Sequence, residues 1–137
     1  MAVTKICKVL VVEDNQDIQD LLGEAFGHEG YHFTLVGNGA AMRQALAAGD
    51  VDIVLIDVLL PGGENGIALA EEAAAHGCGV ILVTGHHDHF ETVEKSGHRY
   101  LFKPYRIAPL LELVDQVLRE SKARCTAKGR SYGGAAR

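Results

Sequence analysis

Acidic, hydroxyl and ammonium side chains stand at the ends of apolar runs in this sequence. Glu13 and Asp14 follow the first run, Asp57 follows a central run, Thr84 ends the next and Lys103 follows the last. A carboxylate at the edge of an apolar core costs several kcal/mol, roughly, unless a cation compensates it. If these runs are neighbouring strands, three carboxylates gather and repel one another. The residue types therefore predict a site for a hard divalent cation such as Mg²⁺, with Lys103 as a second positive charge.

The pair Glu13–Asp14 has a second interpretation when it is taken alone. A helical pattern begins near Asp17, and acidic residues at a helix N-terminus interact favourably with the helix dipole. For this pair both interpretations stay open. The complete order of an acid pair, an acid, a hydroxyl and a lysine at successive strand ends favours the cation site.

Five apolar runs have the length of strands, and helical patterns alternate with them. The runs are Lys8–Val12, Tyr31–Val36, Asp52–Ile56, Val80–Val83 and Tyr100–Phe102. The helical patterns lie within Ile18–Phe26, Ala41–Ala48, Ile67–Ala75, Phe90–Lys95 and Leu110–Leu118. This alternation predicts an α/β fold, a doubly wound five-stranded parallel sheet with helices on both faces. Functional sites in such folds lie at the carboxyl ends of the strands.

Length and composition predict one domain over residues 5–120 and a mobile basic tail over residues 121–137. The chain has 137 residues, of which 47% are hydrophobic and 23% charged, as in globular proteins. No apolar run approaches the roughly 20 residues that span a bilayer, and the N-terminus lacks the pattern of a signal peptide. We therefore predict a cytoplasmic protein without a membrane partner.

Charge is distributed unevenly along the chain. Five of the 13 basic residues and none of the 18 acidic ones fall in the tail, which leaves eight basic groups against 18 acids in residues 1–120. An acidic body argues against nucleic acid as the main partner. For the tail, three interpretations stay open: a solvated terminus, a contact with an acidic partner, or nucleic-acid binding.

Three cysteines, Cys7, Cys78 and Cys125, show no CxxC spacing. In a cytosolic protein we expect reduced thiols, with Cys7 and Cys78 as small core residues.

At this point the chain resembles a known family, the receiver domains of two-component response regulators, over residues 5 to about 120. The segment Asp57-Val58-Leu59-Leu60-Pro61-Gly62 matches the family pattern D-x-x-[LM]-P-G. The resemblance implies a flavodoxin-like fold with strand order 2-1-3-4-5. It further implies that Asp57 is the phosphoacceptor and that Glu13, Asp14, Asp57 and the backbone carbonyl of Leu59 bind the metal.

The resemblance also implies a switch. Thr84 would be the switch hydroxyl, Tyr100 the switch aromatic residue, and Lys103 the lysine that contacts the phosphoryl group. Asp57 would accept that group from a sensor histidine kinase or a histidine phosphotransfer protein, with Mg²⁺ as cofactor and Mn²⁺ as a substitute. Output would then be protein contact of a stand-alone regulator with a downstream protein target, and homodimer formation stays open.

The sequence departs from the family in two places. Gly66 stands one residue further from Pro61 than the equivalent glycine does in most receivers, which lengthens this loop. Only 18 residues separate Thr84 from Lys103, so the fourth helix must be short, and dimer formation through it is in doubt.

Two positions border the path of an attacking water in the family, namely Leu59 and His86. We predict that they tune the lifetime of the aspartyl phosphate, with His86 as the group able to hold the water. The cluster His86-His87-Asp88-His89 also admits a zinc interpretation, but a solvated loop is favoured because no second ligand cluster accompanies it.

Two rival functions remain. A haloacid-dehalogenase-like phosphatase also uses a strand-end aspartate, but it needs a second acid where Leu59 stands. A binding module that is never phosphorylated predicts a broken acidic site, whereas every element is present here. We therefore expect a signalling switch rather than an enzyme.

Overall fold

The computed structural model describes residues 5–85, 88, 90–104, 106–121 and 125–126. Five strands form one parallel sheet: β2 (Lys8–Val12), β3 (His32–Val36), β4 (Ile53–Asp57), β5 (Gly79–Thr84) and β6 (Arg99–Phe102). Their order across the sheet is β3-β2-β4-β5-β6. This is the predicted order 2-1-3-4-5 once a short additional strand, β1 (Lys5–Ile6), is left out of the numbering. The predicted fold is therefore confirmed.

Five helices connect or follow the strands, and asparagine starts three of them. They are α1 (Gln16–Glu29), α2 (Gly39–Ala48), α3 (Gly66–Ala75), α4 (Phe90–Ser96) and α5 (Ile107–Glu120). Asn15, Asn38 and Asn65 precede α1, α2 and α3, and each side chain accepts a backbone N–H of the first turn. Gly30 ends α1 in the left-handed conformation that glycine adopts without strain. The prediction of a short fourth helix is confirmed by α4, which has seven residues.

The core consists of two apolar layers, one on each face of the sheet. Alternate strand residues point to opposite faces, so Leu55 joins the layer with α1 and α5 while Val54 joins the layer with α2 and α3. All five residues of β4 are buried, because this central strand is covered on both faces. The run that precedes Asp57 is therefore continuously apolar because it forms the central strand of the sheet.

Parallel pairing places the ends of neighbouring strands side by side. Val12 pairs with Ile56, Asp57 with Val83, and Thr84 with Phe102. The residues at and just beyond these positions share one edge of the sheet, which is the edge where the sequence predicted a site.

A second parallel sheet of two strands lies at the amino ends of the main strands, and a disulfide beside it contradicts the prediction of reduced cysteines. The strand β7 (Cys125–Thr126) pairs with β1, and Cys7 forms a disulfide with Cys125. The prediction was wrong for these two residues because 118 positions separate them and only the folded chain brings them together. Cys7 is nevertheless buried as expected, and Cys78 is a free, partly buried thiol.

Within the described residues, no helix is both long and apolar enough to cross a bilayer. The domain boundary at residue 120 and the mobility of the tail stay predictions, since most of residues 121–137 lie outside the described part of the chain.

Candidate functional site: an acidic pocket at the carboxyl edge of the sheet

Three carboxylates meet at the carboxyl ends of β2 and β4. One oxygen each of Glu13, Asp14 and Asp57 lies within 4.8 Å of the others. Glu13 and Asp57 are buried, at 4% and 8% exposure, whereas Asp14 is exposed. The predicted clustering is therefore present. The capping interpretation of Glu13 holds only in part, because its Oε2 accepts the backbone N–H of Asn15 at 3.0 Å while its Oε1 faces the pocket.

Lys103 brings the positive charge into this pocket. Its Nζ donates to Asp57 Oδ2 at 2.9 Å and to Glu13 Oε1 at 3.0 Å. Partial burial lowers the pKa of Lys103, but the hydrogen bonds to Asp57 and Glu13 outweigh burial and raise it above the ordinary value. The ammonium form is thus held firmly at neutral pH. The backbone N–H of Lys103 also donates to the Thr84 carbonyl at 2.8 Å, which fixes the lysine at the strand end.

The loop after Asp57 folds back on the carboxylate. The N–H of Leu59 donates to Asp57 Oδ1 at 3.1 Å, and Leu59 forms an isolated antiparallel bridge with Asn65. Gly66 then starts α3 against the backbone of Asp57 and Val58, with its N–H donating to the Val58 carbonyl at 2.8 Å. A Cβ at Gly66 would lie 2.7 Å from the Cα of Val58 and would also collide with the Asp57 carbonyl, so only glycine fits.

The lengthened loop carries a residue, Glu64, whose structural role the sequence did not reveal. Glu64 Oε1 accepts the N–H of Gly39 at 2.8 Å, which ties the loop to the start of α2. Gln19 was also missed: its side-chain amide donates to the backbone carbonyls of Glu13 and Val36 and thereby holds the strand end that carries the acid pair. Neither residue belongs to a recognisable local pattern, so no sequence signal marked them.

The two predicted switch residues lie on neighbouring strands. Thr84 is buried at the end of β5, and Tyr100 lies in β6, where its hydroxyl donates to Glu94 Oε2 of α4 at 3.1 Å. This bond to a carboxylate, the largest contribution, raises the pKa of Tyr100. Tyr100 also packs edge-on against Phe90 and Phe102, with ring centroids 6.1 and 5.7 Å away. The aromatic ring is thus held against α4.

Of the two residues predicted to tune the phosphoryl lifetime, only Leu59 belongs to the described part of the chain. Leu59 is 41% exposed beside the pocket. His86 and most of the histidine cluster lie outside the described residues, so their roles stay predictions.

The described side chains fit a divalent cation. One ammonium against three carboxylates leaves an excess of negative charge, and carboxylate oxygens are the ligands that Mg²⁺ prefers. The donor set of Glu13, Asp14 and Asp57 contains oxygen alone, which argues against a soft metal.

The fold and the clustered acids define a doubly wound α/β domain with an acidic pocket at the carboxyl ends of its strands. The chain belongs to the response regulator receiver domain family, whose family model matches residues 9–115. The transcriptional regulatory protein TorR of the torCAD operon of Escherichia coli (strain K12) is 32% identical over 114 residues. That match covers 80% of this chain and 49% of TorR, so the chain spans about half the length of this relative.

Solved receiver structures share the fold. The receiver domain of TorR, a TMAO respiratory system response regulator, has a TM-score of 0.76 at 30% identity, covering 84% of this chain and 98% of that one. The response regulator protein TrrA from Thermotoga maritima, solved in complex with Mg²⁺ and BeF, has a TM-score of 0.73 at 27% identity. Here the match covers 82% of this chain and 100% of that one.

Proposed function

We propose that this chain is a Mg²⁺-dependent phosphoacceptor switch of a His-Asp phosphorelay, with Asp57 as the residue that is phosphorylated. The observation that carries the proposal is the meeting of Glu13, Asp14 and Asp57 within 4.8 Å, with Lys103 bound to two of them. Membership of the receiver family supports it.

Asp57 is positioned as the nucleophile. One of its carboxylate oxygens forms the bond to phosphorus as the bond between phosphorus and the imidazole nitrogen of a phosphohistidine donor breaks. Lys103 already faces Oδ2 and can pair with an oxygen of the transferred group, while the Leu59 N–H orients Oδ1. Glu13, Asp14, Asp57 and the Leu59 carbonyl would hold Mg²⁺, which neutralises charge during phosphoryl transfer; Mn²⁺ is the substitute we expect.

The response to phosphorylation involves Thr84 and Tyr100. The Thr84 hydroxyl moves to a phosphoryl oxygen and makes room for Tyr100, which must first leave Glu94. That movement alters the surface formed by α4, β6 and α5, where a downstream protein target binds. Leu59 and His86 set the lifetime of the phosphorylated state.

The partners we propose are a sensor histidine kinase or a histidine phosphotransfer protein upstream and a protein target downstream. We further propose that the chain works in the cytoplasm and that it acts as a signalling switch rather than as an enzyme.

Incubation with acetyl phosphate or phosphoramidate, with and without Mg²⁺, followed by intact-mass measurement tests the assignment. We expect a single phosphoryl adduct on the wild type with Mg²⁺ and none on Asp57→Asn. The matched control is Asp50→Asn, which changes an exposed aspartate outside the pocket and should be phosphorylated normally. Equal phosphate uptake by Asp57→Asn and wild type would rule out Asp57 as the acceptor.

A further inference from the structure

Two buried cysteines join the beginning of the described chain to its end. Cys7 lies between β1 and β2, Cys125 opens β7, and the disulfide between them has a Cα–Cα distance of 4.8 Å. Both residues are fully buried, in the same apolar cluster as Tyr31 and Leu118. The bond is therefore integrated into the core layer under α1 and α5, at the amino end of the sheet.

The remaining attachment of the described residues beyond α5 is slight. β7 contributes two residues, which pair with the two residues of β1. A pair of strands this short is marginal without further support. The disulfide thus fastens β7 to the domain, and it closes a loop of 118 residues.

We propose that Cys7 and Cys125 are a reversible dithiol–disulfide couple, a redox modification site that fastens β7 to the domain when oxidised and releases it when reduced. Its reaction partners are low-molecular-weight or protein disulfides and dithiols. In the closing direction the Cys125 thiolate attacks a donor disulfide, forms a mixed disulfide and expels one donor thiolate. The Cys7 thiolate then attacks the Cys125 sulfur and expels the second donor thiolate, so that two electrons pass to the donor and the cysteine protons go to its thiolates. Opening by a dithiol is the reverse exchange, and because both cysteines are buried it begins when the short β1–β7 pair separates and exposes the disulfide.

This couple is separate from the phosphoacceptor pocket. Cys7 immediately precedes β2, whereas Glu13 immediately follows it, so the two sites lie at opposite ends of the same strand. We therefore expect phosphorylation of Asp57 in both redox states, and the two proposals can fail independently. The third cysteine provides an internal control, because Cys78 is a free thiol.

The redox test uses the purified full chain in mixtures of reduced and oxidised glutathione. After an acid quench, denaturation and alkylation with N-ethylmaleimide, intact mass counts the thiols. We expect one adduct under oxidising conditions and three under reducing conditions, with both species present at intermediate ratios. Cys78→Ser should alternate between zero and two adducts, and Cys125→Ser should show no protein disulfide. Three adducts in every mixture, or one in every mixture, would overturn the proposal.

The melting temperatures of the oxidised and reduced protein test whether the disulfide fastens β7 to the domain. Because the bond closes a long loop, the oxidised wild type should melt about 10 °C above the reduced form. The same difference is expected for Cys78→Ser and none for Cys125→Ser, provided that circular dichroism shows the variants folded. A complete redox transition with unchanged melting would overturn the fastening role.

Discussion

The Nζ atom of Lys103 lies 2.9 Å from Asp57 Oδ2 and 3.0 Å from Glu13 Oε1, although 46 residues separate Lys103 from Asp57. One ammonium thus compensates two buried carboxylates that stand at the carboxyl ends of two neighbouring strands. This arrangement explains how an aspartate can end the most deeply buried strand of the sheet. Removal of the Lys103 ammonium should therefore leave uncompensated negative charge in the pocket.

Lys103→Met should destabilise the fold. We expect the free energy of unfolding at pH 7 to fall by about 2 kcal/mol, less than for a fully buried pair because water reaches the lysine side chain. Since the pKa of Lys103 is raised, its stabilising contribution is complete below about pH 10 and is lost as the pH rises further. Urea unfolding of Lys103→Met and of the exposed control Lys95→Met measures the effect. Equal stability of the two variants would show that the ion pairs contribute little.

Asp57→Asn should have the opposite effect in the absence of metal. Three carboxylates share one ammonium, so removing one negative charge relieves repulsion and should raise the melting temperature by about 3 °C. Saturating Mg²⁺ should stabilise the wild type for the same reason, and Asp57→Asn less. Thermal unfolding with and without Mg²⁺ checks both statements. No change under either treatment would mean that the acids do not repel one another as their spacing indicates.

Gly66→Ala should disrupt the loop that follows Asp57. The added methyl group would collide with the backbone of Asp57 and Val58, which cannot move without displacing β4. We expect a loss of about 3 kcal/mol of stability. Gly37→Ala is the matched control, because the nearest atom to its Cβ is the Cα of Asp14 at an ordinary 3.9 Å. Denaturant unfolding of both variants compares them, and a fully stable Gly66→Ala would contradict the close approach.

Glu94→Gln should loosen Tyr100. The Glu94 carboxylate accepts the phenolic hydrogen bond and is the main reason that the pKa of Tyr100 is raised. In the variant we expect the phenol to ionise at lower pH, closer to the ordinary value near 10. NMR titration of the Tyr100 ring in wild type, Glu94→Gln and the control Glu91→Gln measures the shift. An unchanged titration in Glu94→Gln would contradict the conclusion that Glu94 raises the pKa of Tyr100.

Cys78 should react slowly with alkylating reagents. Burial, followed by the nearby Asp52 carboxylate, raises the pKa of this thiol to about 11, and the thiolate is the reactive form. In the oxidised protein, the rate of alkylation by iodoacetamide should rise about tenfold per pH unit from pH 7 to 10. A plateau near pH 9 would contradict the raised pKa. Because the unfolded chain loses this proton first, the thiol's contribution to stability also declines as pH rises from about 9 to 11.

The sequence alone was sufficient for the five-stranded sheet and for the predicted acidic cluster. Apolar runs, helical stripes and the residues at the strand ends are local patterns. Because the strands pair in parallel, the residues that follow them become neighbours at one edge of the sheet. Glu13, Asp57 and Lys103 could therefore be placed together without coordinates. The short α4 also followed from counting residues between Thr84 and Lys103.

Only the tertiary structure decided the contacts between distant groups that do not stand at neighbouring strand ends. The disulfide between Cys7 and Cys125, the bond from Gly39 to Glu64 and the amide of Gln19 each join segments whose approach no local pattern encodes. Glu64 could have faced solvent in a loop of the same length, and three cysteines allow more than one pairing. Contacts of this kind depend on how the layers pack in three dimensions, and the packing becomes determinate when the whole chain has folded.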